Sequence, residues 1–568
     1  MRSLSKHTLA FASAAALVAV AGCGDLDVTN PNLPDRNRVL ATPGDVISLA
    51  GSGMVAWYNA NQEMTSAGPL NTMADAYSAS WNNYQMRIFS SEPRTHWRND
   101  PAAAERLTVE QLWYDLYSTL AGANDVMRTI SGGTLQFPDS GQMRMAQTIS
   151  TLMQGLTLGD LSLVYDKAFF VDETIGPDQL AALTFLPRAD IRDSAVKKLE
   201  AAIALAEANS FTTNAEWTGG ESYTNEQIAQ IASTAAARVL AYHAPNAAEN
   251  AATDWARVRD FAANGLSKPG AEFDFVFVSD GHCPDIDGAE GVCDALKLWS
   301  NDPTTMRLDT RVANMLDPAT QTHPWPFPDG NPRPNSPDRR LGDGSIGPDN
   351  PVAYDGTQPD SVWAVGVNGY WSRAGNSGTD FMWNSDAIMN PSRGSYHQSN
   401  ITHIRYMHLG VLDPRTLYTG PSPIMSAGEN DLLWADALIH LNQLDLAAEK
   451  INNTRVDRGG LSAATAGDGV AGLNAKLYYE QDIELLGLAS TPFFNRRRID
   501  GLQPMTPREM PVPAKELGVL RQELYTFGGT FPLQSETSAS FARAGSVKNV
   551  HEISAEIRRR SRSLSRHN

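Results

Sequence analysis

The chain has 568 residues, a hydrophobic fraction of 42% and a net charge of −18 at pH 7. The length allows about three or four domains, and the hydrophobic fraction is sufficient for a large core. The acidic balance argues against a nucleic acid or an anionic membrane surface as partner, because both attract cations.

The first residues predict export. Arg2, Lys6 and His7 precede an apolar run of mostly small residues at 9–21. The run is shorter than the roughly 20 residues of a membrane-spanning helix, and the pattern is typical of a secretory signal peptide. It ends in Val-Ala-Gly-Cys at 20–23, which resembles the bacterial lipoprotein box. We therefore predict a signal peptide at 1–22 and a lipid anchor on Cys23, since two or more acyl chains anchor stably. The alternative is an ordinary signal peptide with a chance cysteine.

Most of the remaining chain repeats apolar residues at helical spacing. Thr108 with Gln111, and Thr224 with Gln227, match helix-capping boxes, and Asp190 marks a further helix start. The apolar stripes are Trp113, Leu116, Leu120, Ala123 and Met127; Met145, Ile149, Leu152 and Leu156; Val196, Leu199, Ile203 and Ala206; and Ile228, Ile231, Ala235 and Val239. A last pair covers 428–440 and 444–457, joined at Asn442 and Gln443. These pairs predict a mainly α fold of degenerate tetratricopeptide-like helical hairpins.

The stretch 267–425 differs in composition. It is rich in Gly, Pro, Asn, Asp and aromatic residues, and 323–351 holds many prolines and glycines. A long irregular region inserted in a helical scaffold is often where function lies. We expect a single domain over 23–568, with a helical scaffold at about 40–266 and 426–540. We expect the irregular portion, about 267–425, to bind ligand, and the basic tail at 558–568 to be disordered.

Two cysteines lie within this irregular portion. Cys283 and Cys293 have nine residues between them, and an even pair in an exported protein predicts a local disulfide. The enclosed loop carries Asp285, Asp287 and Glu290, and Asp294 follows it. Carboxylates two residues apart before a glycine match part of a calcium loop. We favour a solvated acidic turn, so no cofactor is expected, and structural calcium at Asp285 and Asp287 is the less favoured alternative.

Several patches together resemble the SusD/RagB family. The segment 23–32 is similar to the lipidated leader of that family, and 158–166 and 186–203 are similar to its early helices. The most specific match is a Glu-x-x-Leu-Leu-x-Ala-Asp-Ala helix from Glu429, followed by Ile451, Asn452 and Arg455. The segments 478–498 and 511–517 continue the resemblance, whereas Asp436 and 489–491 depart from the family pattern and 267–420 matches poorly.

The resemblance implies a function. Members of the family are outer-membrane, lipid-anchored, surface-exposed lipoproteins that lie as a lid on a SusC-like TonB-dependent transporter and pass glycans or peptides to it. We therefore expect an oligosaccharide or peptide nutrient, a SusC-like transporter partner, no nucleic acid and no catalysis.

Two stretches supply the aromatic faces and polar groups that sugars need. They lie in an early loop and in the mid-chain region, the placement that the resemblance implies for ligand contacts. The candidate ligand-binding residues are Tyr77, Trp81, Asn83 and Arg87 in the first stretch, and Tyr370, Trp371, Arg373 and Trp383 in the second. The alternative for each aromatic is that it anchors a loop on the helices.

Two other functions remain open: a secreted helical glycoside hydrolase, and a repeat protein that binds only protein partners. A hydrolase needs two placed carboxylates, and nothing in the sequence selects a pair. His397, His403 and His408 are six and five residues apart, which does not favour a metal site on a helix or strand. No nucleophile elbow or phosphate-binding loop occurs.

Overall fold

A computed structural model describes residues 40–79, 82–92, 94, 97–133, 135–283, 291–301, 305–324, 330–343, 380–383, 397–409 and 418–526, with the backbone of 363–365 and 371–373. The predicted signal peptide, Cys23 and the basic tail lie outside the described residues. No helix in the described ranges is both long enough and apolar enough to cross a membrane.

Helices dominate the structure, as the sequence predicts. The amino-terminal helices are α1 (Pro43–Gln62), α2 (Met64–Met73), α3 (Met86–Ser90), α4 (Arg106–Gly132), α5 (Ser140–Val164), α6 (Arg188–Ala208), α7 (Asn225–Tyr242), α8 (Ala247–Ala251) and α9 (Trp255–Ala263). Two short helices follow, α10 (Ala295–Ser300) and α11 (Thr310–Leu316). The carboxy-terminal helices are α12 (Ala427–His440), α13 (Leu444–Arg455), α14 (Gly469–Glu484), α15 (Thr491–Arg498) and α16 (Ala514–Val519).

Neighbouring helices pack in series. The helices α4, α5, α6 and α7 each pack on the next, α9 joins α7 to α12, and α12, α13 and α14 pack on one another. The predicted stripes in α4, α5 and α7 are wholly buried, and in α6 only Ile203 keeps partial exposure. Gly155 of α5 allows a close approach of α6, because a Cβ there would lie 2.7 Å from Leu199 Cγ. The predicted helical hairpins are confirmed.

The predicted helix starts have different outcomes. The Thr224 side chain accepts from the Gln227 backbone N–H, and Gln227 accepts from the Thr224 N–H, so this capping box is confirmed. The helix assigned to Asp190 begins slightly earlier, at Arg188. The start at Thr108 is wrong, because α4 begins at Arg106 and Thr108 is buried inside the helix.

Short antiparallel strand pairs complete the described part of the fold. The strands are β1 (Tyr77–Ser78), β2 (Lys167–Ala168), β3 (Leu186–Pro187), β4 (Phe275–Asp280), β5 (Arg307–Leu308), β6 (Trp363–Val365), β7 (Trp371–Arg373), β8 (Phe381–Trp383), β9 (Ile401–His403) and β10 (Thr419–Met425). The pairs are β1 with β5, β2 with β3, β4 with β10, β6 with β7, and β8 with β9. Most of these strands lie in 267–425, where the sequence predicts irregular structure.

Candidate ligand-binding site

The early candidate stretch forms a tight turn between β1 and α3. Tyr84 and Gln85 are consecutive non-glycine residues with positive φ, at 53° and 63°. This conformation costs about 1–3 kcal/mol per residue and commonly occurs at functional sites. The Asn82 side chain holds the turn, because its Nδ2 donates to Gln85 Oε1 at 3.1 Å and its Oδ1 accepts from the Ile88 N–H at 3.2 Å. The turn leaves Asn83 exposed on its outer side.

The strand that precedes this turn, β1, pairs with a mid-chain strand. β1 pairs with β5, with Tyr77 opposite Leu308, and Asp309 donates its N–H to the Ala76 carbonyl at 3.1 Å. The next contact leads to β9, because Ser399 donates its N–H to the Leu308 carbonyl at 3.1 Å. β9 then pairs with β8, with Trp383 opposite Ile401. We call this assembly of β1, β5, β9 and β8 the strand platform.

Tyr77 of β1 and His403 of β9 are in contact at the centre of the strand platform. Tyr77 is 0% exposed, and its hydroxyl is 2.8 Å from His403 Nδ1. Burial, and secondarily Arg405 and Lys297, hold the pKa of His403 well below 6.5. The imidazole is therefore neutral at pH 7 and Nδ1 accepts when it carries the lone pair. The Tyr77 side chain packs in the core and presents no surface to a ligand.

Of the two aromatic candidates whose side chains the structure describes, Trp383 keeps partial exposure and Tyr77 does not. Trp383 is partly buried, and its indole N–H donates to Asn331 Oδ1 at 3.0 Å. The Arg333 guanidinium carbon lies 5.8 Å from the ring centroid, within range of a cation–π contact. Asn331 and Arg333 are contacts that sequence reasoning missed. They lie in a proline- and glycine-rich segment without periodicity, so no pattern indicated which side chains face Trp383.

A buried ion network fastens the irregular segment to the scaffold. Arg340 is 0% exposed and contacts Asp338 at 2.7 Å, Glu480 at 2.8 Å and Glu484 at 3.1 Å. Glu480 and Glu484 belong to α14. We call the group of Asp338, Arg340, Glu480 and Glu484 the anchor network. The guanidinium offsets the charge of the carboxylates. Buried charges that have lost their water need such partners.

Further cations surround the anchor network. Glu484 also contacts Arg405 at 2.8 Å and Arg458 at 2.7 Å, and Arg458 contacts Asp380 beside β8 at 2.6 Å. Burial alone would raise the pKa of Glu484, but Arg405, Arg458 and Arg340 together hold it well below its usual range. Glu484 is therefore ionised at all ordinary pH values, and it links β8, β9 and the segment around Arg340 to α14.

The architecture is similar to that of solved structures. No protein-family model and no curated protein matches the chain. Solved structures do match it, among them a SusD superfamily protein from Parabacteroides distasonis with 10% identity and a TM-score of 0.54, covering 84% of this chain and 98% of the other. A SusD superfamily protein from Bacteroides vulgatus has 15% identity and a TM-score of 0.52, with 84% and 97% covered. The chain has the SusD fold.

One of the similar structures has a described ligand class. It is a SusD-like carbohydrate-binding protein from Bacteroides vulgatus, with 13% identity, a TM-score of 0.50, and 80% of this chain and 83% of the other covered. At these identities the similarity establishes the SusD fold, which the sequence resemblance predicted.

The candidate residues occupy different positions within this SusD fold. Asn83 is exposed and Arg87 is half-buried, both at the turn beside the strand platform. Trp371 and Arg373 lie at the two ends of β7, opposite Val365 and Trp363. Trp81 and Tyr370 lie outside the described residues. The structure therefore brings Tyr77 and Trp383 onto the strand platform, whereas Trp371 and Arg373 lie in the separate β6–β7 pair.

The three clustered histidines take separate places in the SusD fold. His403 contacts Tyr77, His408 Nε2 lies 2.8 Å from the Pro421 carbonyl, and His397 lies 3.2 Å from Glu92. No group of three or more His, Cys, Asp or Glu side chains in the described ranges is arranged to hold a metal ion.

The cysteine pair forms a disulfide bond, with its Cα atoms 5.1 Å apart. Asp285, Asp287 and Glu290 lie outside the described residues. Asp294 is not part of a solvated turn, because it is 2% exposed and accepts from Lys297 Nζ at 2.7 Å and Tyr58 at 2.9 Å. The reason is that Asp294 caps α10 inside the core and balances the buried Lys297 charge.

Proposed function

We propose that this protein is a SusD/RagB-family surface lipoprotein that binds nutrient oligomers, glycans above all, and delivers them to a SusC-like TonB-dependent transporter without catalysis. The observation that carries the proposal is the meeting of the early turn and the mid-chain strands on one platform. Both regions carry the aromatic and polar residue types that saccharide binding needs. The SusD fold, shared with a protein described as carbohydrate-binding, supports the same function.

The groups at the platform suit a saccharide. Trp383 offers part of an aromatic face, on which the apolar side of a pyranose packs. Arg333 lies beside that ring, and Asn83 is exposed on the adjoining turn. Guanidinium and amide groups donate to hydroxyl and ring oxygens. A mainly aromatic surface with a few placed polar groups is the usual composition of a small-ligand site.

Binding is tested by thermal shift and calorimetry against a panel of oligosaccharides and peptides. A ligand that binds only the folded state raises the unfolding midpoint. Trp383→Ala should weaken binding of the best saccharide about tenfold, the value of one lost aromatic contact of about 1.4 kcal/mol. Trp81→Ala and Trp371→Ala test the other candidates.

The chain offers a matched control for Trp383. Trp434 of α12 is also partly buried and also has a cation over its ring, with Lys450 Nζ 4.4 Å from the centroid. It belongs to the scaffold and not to the strand platform. Trp434→Ala should leave affinity unchanged. Equal loss in both variants would contradict a site at the platform, and a reaction product detected by chromatography would favour the hydrolase.

Anchoring and delivery are tested in cells. Cys23→Ser removes the thiol that would carry the lipid, so the protein should leave the membrane fraction. A tagged wild-type chain should co-purify with a large outer-membrane β-barrel and retain it after detergent extraction. Purification without any barrel would contradict the transporter partnership while leaving ligand binding intact.

A further inference from the structure

One arginine side chain holds both ends of the early candidate stretch. Arg94 follows the stretch, and its side chain is 4% exposed. Its guanidinium donates to the Met73 carbonyl at 3.0 Å, before the stretch begins, and to the Ser91 carbonyl at 3.2 Å, where the stretch ends. We call the described residues between these contacts, 76–79 and 82–91, the early loop. Arg94 therefore closes the early loop at its base.

Asp75, at the entry to the early loop, is held in a strained conformation. It is 2% exposed and has a φ of 52°, which a non-glycine residue keeps only where its surroundings impose it. Arg94 Nη2 donates to its carboxylate at 2.8 Å. Arg311 of α11 donates from Nε to its backbone carbonyl at 3.1 Å. Two arginines from separate parts of the chain thus fix the backbone at Asp75.

Both arginines are in turn fastened to the carboxy-terminal part of the scaffold. Arg94 Nε donates to Thr506 Oγ1 at 2.9 Å, in the segment after α15. Arg311 donates from both terminal nitrogens to Asp482 of α14, at 2.8 Å and 2.9 Å. Such bidentate pairs fix the orientation of the guanidinium as well as its position. The entry to the early loop is therefore attached to the helix that also carries the anchor network.

We propose that Arg94 is a positioning residue of the ligand-binding site, which holds the early loop in its binding conformation before a ligand arrives. The proposal rests on the binding function proposed above, since Asn83 and Arg87 of the early loop are candidate ligand contacts. A loop that is ordered in advance binds more tightly, because its ordering is not subtracted from the free energy of binding. Arg94 is buried, so it acts through the early loop and not by touching the ligand.

Hydrogen exchange and calorimetry together test this role. Arg94→Met should speed amide exchange in the early loop of the ligand-free protein at least about tenfold. It should also weaken binding of the panel oligosaccharide that the wild type binds most tightly, again about tenfold. Arg94→Lys keeps the charge beside Asp75 but lacks the planar fork that reaches both carbonyls, so each effect should be about threefold. Should Arg94→Met fail to fold, Arg94→Lys provides the same comparison.

Arg188→Met is the matched control. The Arg188 side chain is 9% exposed and also donates to two carbonyls and one carboxylate, those of Ser162, His243 and Glu509. None of these partners belongs to the early loop. The unfolding midpoint should therefore fall in both methionine variants, whereas faster exchange in the early loop and weaker binding should appear only in Arg94→Met.

The outcomes separate the positioning role from general destabilisation. Unchanged exchange in the early loop of Arg94→Met would overturn the proposal, and so would faster exchange with unchanged affinity. Equal changes of exchange and affinity in Arg188→Met would overturn it too, because they would follow from lost stability alone. A wild type that binds no oligosaccharide of the panel would instead contradict the proposed function, and exchange in the ligand-free protein would still decide whether Arg94 holds the early loop.

Discussion

Removing Arg340 should both destabilise the protein and loosen the strand platform. In Arg340→Met, Asp338 and Glu480 lose their closest cation while staying buried, and Glu484 keeps Arg405 and Arg458. Breaking a buried ion pair from one side costs about 3–5 kcal/mol, because the remaining charge is uncompensated. We expect a loss of that size in the free energy of unfolding at pH 7, measured by urea denaturation.

The pH dependence separates this mechanism from lost packing. Burial already raises the pKa of Glu480 although Arg340 lowers it, so the variant should raise it further. A carboxyl with a raised pKa in the folded state binds its proton more tightly there than when unfolded, so the variant recovers stability as the pH falls from 7 toward about 4.3. A pH-independent deficit would instead indicate lost packing.

Arg257→Met is the control for Arg340→Met, since Arg257 pairs with Glu200 at 2.7 Å in an exposed pair, with side chains 43% and 47% accessible. Exposed pairs contribute at most about 1 kcal/mol. A loss below about 1 kcal/mol in Arg340→Met, or equal losses in both variants, would refute the anchor network as a fastening of the irregular segment. Ligand affinity should fall in Arg340→Met alone.

Three further substitutions test single contacts. Tyr77→Phe leaves His403 Nδ1 without its partner and should lower the free energy of unfolding by about 1–3 kcal/mol, measured by denaturation. Ligand affinity, measured by calorimetry, should not change. A large loss of affinity would indicate that Tyr77 contacts the ligand. Asp166→Asn should remove a pH dependence of stability, because burial raises the pKa of Asp166 to about 6. The free energy of unfolding of the wild type should rise by about 3 kcal/mol relative to the variant as the pH falls from 7 to 3. Parallel pH profiles of the two proteins would contradict this. Gly51→Ala places a Cβ against the Trp217 indole and should cost about 1–3 kcal/mol and shift tryptophan fluorescence, whereas unchanged fluorescence would contradict the close approach.

The helical scaffold could be predicted because its signals are local or periodic. The Thr224 capping box lies at an exposed helix start, where the side-chain oxygens compete only with water for the free backbone N–H groups. The same pattern at Thr108 failed, because α4 extends past it and Thr108 is buried beside α2, with its carbonyl 3.5 Å from Ser66 Oγ. A short polar pattern does not reveal whether tertiary packing has covered it. A stripe of many apolar residues does predict burial, because it indicates which face of the helix packs against the core.

The candidate site could be located by composition but not resolved to side chains. Aromatic and polar residues predicted two stretches, and the structure brings Tyr77 of the first and Trp383 of the second onto one platform. Whether a ring faces inward depends on strand register, which changes face with each residue. Tyr77 lies opposite Leu308 and is buried in the core, whereas Trp383 is partly exposed. The register of Tyr77 comes from its pairing with Leu308, more than 200 positions away, and no local pattern encodes that pairing.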